Sequence, residues 1–253
     1  MTTRKNGVSA LYIQQTLGIG SYQTAWAMLH RFRSVTVMPG RELLRGEVEV
    51  DETFVGGPRA GKRGRGATNK TMVIVAVERR NPRGFGRCRL GVIANAQSAT
   101  LKTWLEANIE TRSVLVTDGL TSYPSAAAGS FTHEPFKVKG SGQQAHIPLP
   151  GVHRVSSLFK RWLLGTTQGA VDADHLQSYL NEFVFRFNRR NARHRGLLFQ
   201  RLLAQAVQGE PRTFKSLVAS PAPHPVKAAP HVVRRVRPES LDLHVPEIYP
   251  WRG

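Results

Sequence analysis

The sequence predicts an α/β fold, a mixed sheet flanked by helices and preceded by a small helix-turn-helix-like segment. Three observations predict it. Three alternating or β-branched segments follow one another with short connections, as in an antiparallel meander. After them, short apolar strands alternate with helical patterns. A length of 253 residues, 40% of them hydrophobic, allows one sizeable domain with its own core and a small accessory unit.

The elements follow in order. Val8–Leu17 reads as a first helix, with Leu11, Ile13 and Leu17 apolar, and Gly18-Ile19-Gly20 is the turn after it. Ser21 is the expected N-cap of a second helix, Tyr22 to about Arg33, with Tyr22, Ala25, Trp26, Leu29 and Phe32 at helical spacing. The pair fits a helix-turn-helix and equally a packing hairpin. Pro39-Gly40 ends this unit, expected over residues 1–40. Strands are expected at Gly46–Val55, Lys70–Arg80 and Gly86–Asn95. Ser98 should cap a helix running to about Ile109. Ser113–Thr117 is a short strand ending at Asp118-Gly119. A short helix follows near Ser122–Ala128, then an edge strand at Glu134–Val138. Further helices begin near Val152, at Asp172 and at Leu197. This order over residues 44–208 is that of an RNase H-like domain. In the tail, 219–253, hydrophobic periodicity stops and seven of the 15 prolines lie between Pro221 and Pro250, so poor order is expected.

Charge narrows the function class. Lys and Arg number 36 against 17 Asp and Glu, a formal net charge of +19. An excess of this size points to a polyanion, because Lys and Arg displace counterions from phosphates. No apolar run approaches the ~20 residues needed to span a bilayer, and no signal core follows the polar start, so a cytoplasmic protein without membrane contact is expected. The single cysteine, Cys88, excludes an internal disulfide and a cysteine-cluster zinc site, and is expected to be a small core residue. Trp162, Phe183, Phe185 and Phe187 are likewise read as core.

Asp51 stands mid-strand, on the face opposite Val48, Val50 and Glu52. Taken alone it fits a solvent-facing position as well as a buried one. Asp118 ends an apolar strand, where ligands gather in open α/β sheets, but an Asp-Gly strand end is also a common turn. Were the two strands neighbours, the carboxylates would meet, and two close carboxylates call for a divalent cation between them. Oxygen ligands suit Mg2+ or Mn2+, and two such ions would serve phosphodiester chemistry. A third ligand is expected on the helix after the last strand. His153 lies 153 − 118 = 35 residues beyond Asp118, and Lys160 is seven further, two turns along the same face. Lys160 reads as a phosphate contact, with Arg161 beside it. The loop carrying Arg59, Lys62, Arg63, Arg65 and Lys70 could track a DNA backbone, as could Gln23 and Arg31 of the second helix.

The segments Gly46-Glu-Val-Glu-Val-Asp-Glu-Thr-Phe-Val-Gly-Gly57, Val116-Thr-Asp-Gly119, Gly151-Val-His-Arg-Val155 with Leu158-Phe-Lys-Arg161, and Tyr179–Arg190 resemble the DDE transposases of bacterial insertion sequences, in their ISXO-like branch. Ser21–His30 resembles the segment preceding that family's catalytic domain. The resemblance covers about residues 7–218. It implies an RNase H-like fold and metal-dependent cleavage and strand transfer of DNA at element ends. It places the catalytic residues at Asp51, Asp118 and His153, with Lys160 as the accompanying basic residue. It implies double-stranded DNA, both element ends and target, as partner, and a homo-oligomer. His153 stands where many relatives carry Glu or Asn, and it would either bind metal, favouring Mn2+, or move a proton. The family usually begins with a Cys-rich zinc ribbon that Cys88 cannot replace. A truncated, non-catalytic DNA-binding derivative that inhibits transposition is therefore the alternative reading, and a stand-alone structure-specific nuclease a third.

Overall fold

The computed structural model describes residues 7–38, 40–56, 70–80, 84–136, 149–167 and 171–219. Arg59, Lys62, Arg63 and Arg65 of the basic loop, and the tail from residue 220, lie outside these described residues.

The chain opens with two helices, α1 (Ala10–Leu17) and α2 (Tyr22–Ser34). Each is capped by a serine: Ser9 Oγ accepts from the Tyr12 amide and Ser21 Oγ from the Thr24 amide. Strands β1 (Glu47–Val55), β2 (Thr71–Arg79) and β3 (Phe85–Val92) form the antiparallel meander. Then come α3 (Ser98–Asn108), β4 (Val114–Thr117), α4 (Tyr123–Ala127) and β5 (Thr132–Pro135). The helices α5 (Pro150–Thr167), α6 (Leu176–Asn188), α7 (Arg195–Gln208) and α8 (Phe214–Ala219) complete the described chain.

The sheet order is β3-β2-β1-β4-β5, with β4 parallel to both β1 and β5. The helical connection through α3 lets β4 join β1 in parallel, since a tight turn can join only antiparallel strands. The result is the mixed sheet flanked by helices of an RNase H-like fold. Val48 and Val50 of β1 face one core with Leu101, Trp104 and Leu105 of α3 and Tyr123 and Ala126 of α4. The opposite face joins Val73, Val75 and Val77 of β2 to Val152, Val155 and Phe159 of α5 and Leu180 and Phe183 of α6. Cys88 is wholly buried in this second core.

Three local readings change. Ser98 is the first helical residue of α3 rather than its cap: Gln97 holds the cap position, and the Ser98 hydroxyl donates to the Ser122 carbonyl. Asp172 caps a short 3-10 turn, Ala173–His175, and α6 itself begins at Leu176. The edge strand β5 begins two residues earlier than its pattern suggested, and residues 137 and 138 of the expected strand lie outside the described residues.

The helical pair is fastened to the sheet domain through α2. Arg33 is buried against Glu182 of α6, with Nε donating to Oε2 at 2.9 Å, and its guanidinium lies 4.0 Å from the Tyr179 ring centroid. Removing one partner of so buried a pair costs about 3–5 kcal/mol, because the other charge is stranded.

Candidate active site

β1 and β4 are neighbours, and their register settles how the two acids stand. Glu47 pairs with Val114, Val48 with Leu115 and Glu49 with Val116. Continued by two residues, the same register sets Asp51 level with Asp118, on strands about 4.8 Å apart. Val116 belongs to the core under α5, so both acids lie on the sheet face that α5 covers. Both are half-buried. Asp118 falls just beyond the last residue of β4. Its Oδ1 accepts from the Leu120 amide at 3.1 Å, and Gly119 takes a φ of 83°, turning the chain away from the sheet. Asp51 Oδ1 accepts from the Glu52 amide at 2.7 Å.

Tyr123 belongs to the same acidic neighbourhood. It is fully buried, and its hydroxyl donates to Glu52 Oε1 at 2.6 Å. Burial raises its pKa well above the ordinary value, and the charges of Glu52, Asp51 and Asp118 raise it further. The phenol thus remains a proton donor and pins Glu52, the residue next to Asp51. Its ring stacks on His133, whose Nε2 is hydrogen-bonded to Thr117 Oγ1 at 2.9 Å.

His153 is the fourth residue of α5 and half-buried. Lys160, two turns along, is exposed, as is Arg161. Partial desolvation of Lys160, and then the charge of Lys70, hold its pKa below the usual lysine value. Lys70 immediately precedes β2 and is itself exposed, so two of the expected phosphate contacts share one neighbourhood. Gln23 and Arg31 are exposed on α2, and Arg31 Nε donates to the Arg212 carbonyl at 2.8 Å.

The donor set offered by Asp51 and Asp118 is oxygen-only and anionic, which fits a hard divalent cation. Among the described residues no three His, Cys, Asp or Glu side chains form a cluster that could hold a metal ion. The structure therefore brings the two acids together without closing a three-ligand set that includes His153.

Sequence reasoning missed three residues here. Tyr123 lies in a short helix whose burial its own sequence does not announce. Arg79 Nε donates to Glu49 Oε1 at 2.7 Å, and its Nη1 bonds Glu47. Glu49 is completely buried, and its other oxygen accepts from the Val152 amide at 3.0 Å. The available signal was the row Glu47, Glu49, Asp51 on alternate positions, but such a row reads as a wet strand face until a helix is known to cover it.

A family model described as an ISXO2-like transposase domain matches residues 43–188. The matched span runs from just before β1 to the end of α6, and so includes every residue of the β1–β4–α5 site. No curated protein and no solved structure matches the chain.

Proposed function

The chain belongs to the ISXO2-like transposase family, and on that premise we propose that it is the catalytic chain of an insertion-sequence transposase, cleaving element ends and joining them to target DNA. The observation that supports this best is the register of two parallel neighbours, β1 and β4, which sets Asp51 level with Asp118 on the face covered by α5.

Each group has a part that follows from its chemistry. Asp51 and Asp118 would hold Mg2+ or Mn2+, two ions in the full site, because paired carboxylates repel unless a cation lies between them. A metal bound there would supply the positive charge that makes a phosphodiester open to attack by a hydroxyl. Tyr123 keeps Glu52 in place by donating to it, on the side of β1 away from α5, while Asp51 lies on the α5 side. His153 either completes the ligand set or takes the proton of the attacking hydroxyl. Lys160, Arg161 and Lys70 bind phosphates on either side of the scissile bond, which fixes register rather than sequence. Arg59, Lys62, Arg63 and Arg65, outside the described residues, add further positive charge for a phosphate backbone, and Gln23 and Arg31 offer a second contact surface on α2. Because two element ends must be handled together, the working form is a homo-oligomer on double-stranded DNA.

Strand transfer of labelled end DNA, in Mg2+ and in Mn2+, tests the reading. The chain should form joined product in at least one metal, and Asp118→Ala should form none. Equal product from both proteins would remove Asp118 from the site and with it the proposed chemistry.

A further inference from the structure

Helix α5 begins in an unusual way. The His153 amide donates to the Leu149 carbonyl, which makes Leu149 the cap residue. Leucine has no side-chain oxygen, so it cannot satisfy the free amides of the first turn. Pro150 has no N–H to satisfy. The Val152 amide, one residue before His153, is instead taken by Glu49, which reaches it from β1, 152 − 49 = 103 residues away. The positive end of the helix thus meets a buried carboxylate, and both are stabilised. Gly151 makes the approach possible: a Cβ there would lie 2.9 Å from Glu49 Oε2 and 2.9 Å from the Phe85 ring.

The grip has consequences for geometry. Glu49 and Asp51 are two residues apart on one strand face, about 7 Å along β1. At the other end of the reach, the charge of Lys70 acts on Lys160, and Lys70 adjoins Thr71, which pairs with Val55 at the carboxyl end of β1. Helix α5 therefore advances along β1 from Glu49 past Asp51, and the Glu49–Val152 contact fixes its starting height. Arg79 is anchored independently by Glu47, so it presents a fixed donor to Glu49 rather than a mobile counterion.

We propose that Glu49 is the positioning residue of this site: its carboxylate seats the first turn of α5 on β1 and so sets where His153 stands relative to Asp51. The proposal rests on the transposase reading. Glu49 is fully buried, with its two carboxylate oxygens bonded to Arg79 and to the Val152 amide. It acts through the helix, and a misplacement of about 1 Å in a catalytic group can lower a rate on the order of 100-fold.

Glu49→Gln is the direct test. The glutamine amide must aim its NH2 at Arg79 or at Val152, both donors, so one of the two contacts is lost with no change in side-chain size. Three quantities are measured on the full chain: the single-turnover cleavage rate of labelled end DNA, the Kd for that DNA, and amide hydrogen exchange over residues 149–155. Glu49→Gln should slow cleavage on the order of 100-fold, leave the Kd unchanged and speed exchange at the Val152 amide. Glu49→Asp, one methylene too short to span both partners, should behave alike. Wild-type cleavage by Glu49→Gln, unaltered exchange, or a loss confined to the Kd would each overturn the proposal. If both variants melt below the assay temperature, Glu49 belongs to the folding core and the positioning role falls. If the wild-type chain cleaves nothing in either metal, the transposase reading itself fails; faster exchange in Glu49→Gln would then leave only a structural contact.

Discussion

The β1–β4 register sets Asp51 level with Asp118 across 118 − 51 = 67 positions of sequence, and their setting depends on single residues around them. Gly119 turns the chain directly after the acid, and Tyr123 holds Glu52 from behind. The residue with the most open chemistry is His153. Imidazole is neutral and softer than a carboxylate, so it holds Mg2+ less firmly than glutamate would. We predict that His153→Glu keeps or raises strand transfer in Mg2+ and narrows the advantage of Mn2+, measured as the ratio of initial rates in the two metals. Complete loss in both would show that the imidazole is needed for its proton chemistry. Cys88, by contrast, has no part in this chemistry: burial pushes its thiol up to about 12 and keeps it inert.

At the scale of elements, the joint between α2 and α6 carries a titratable load. His30 is buried, stacked on Trp26 at 4.1 Å between centroids, and its Nε2 has no hydrogen-bond partner among the described residues. Burial, then repulsion from Arg33 and His175, lowers its pKa from 6.5 to about 3. The unfolded chain takes up this proton near pH 6.5, whereas the folded chain refuses it until about pH 3. The contribution to stability is thus complete above pH 6.5 and lost as the pH falls towards 3. We predict that the melting temperature falls across this window more steeply in the wild type than in His30→Phe, which keeps the ring against Trp26 but cannot be protonated. Parallel pH profiles would discount His30 as the source. The same joint makes the helical pair a packed partner of the sheet domain as well as a candidate DNA surface, because Arg33 and Glu182 lock α2 to α6.

For the whole molecule, charge decides how it meets its partner. For the DNA partner proposed above, a net charge of +19 predicts an affinity that falls steeply with salt. Lys160 is exposed beside Lys70, on the helix that also carries His153. Lys160→Ala should therefore weaken binding about equally for element-end and unrelated duplexes. It should reduce the slope of log K against log salt by about 1, the share of one phosphate contact. An unchanged slope would take Lys160 off the DNA. Among the described residues no helix is long and apolar enough to cross a membrane, so this basic surface has no membrane-spanning helix beside it.

The sequence by itself determined the kinds of element and their order. Period-2 runs made the meander, Ser21 capped α2, and an apolar segment closing on Asp118-Gly119 made β4, because each of these depends on neighbours along the chain. It also pointed to a polyanion as partner, since net charge needs no fold to be counted. Only the tertiary structure decided which face of β1 is covered. The alternation in Glu-Val-Glu-Val-Asp reads the same whether the acidic side meets water or a helix, and the cover comes from α5, about 100 residues later. Burial belongs to the pair of surfaces that meet and not to either strand of sequence. That is why Glu49, outwardly a solvated strand acid, lies fully buried between Arg79 and the first turn of the helix that carries His153.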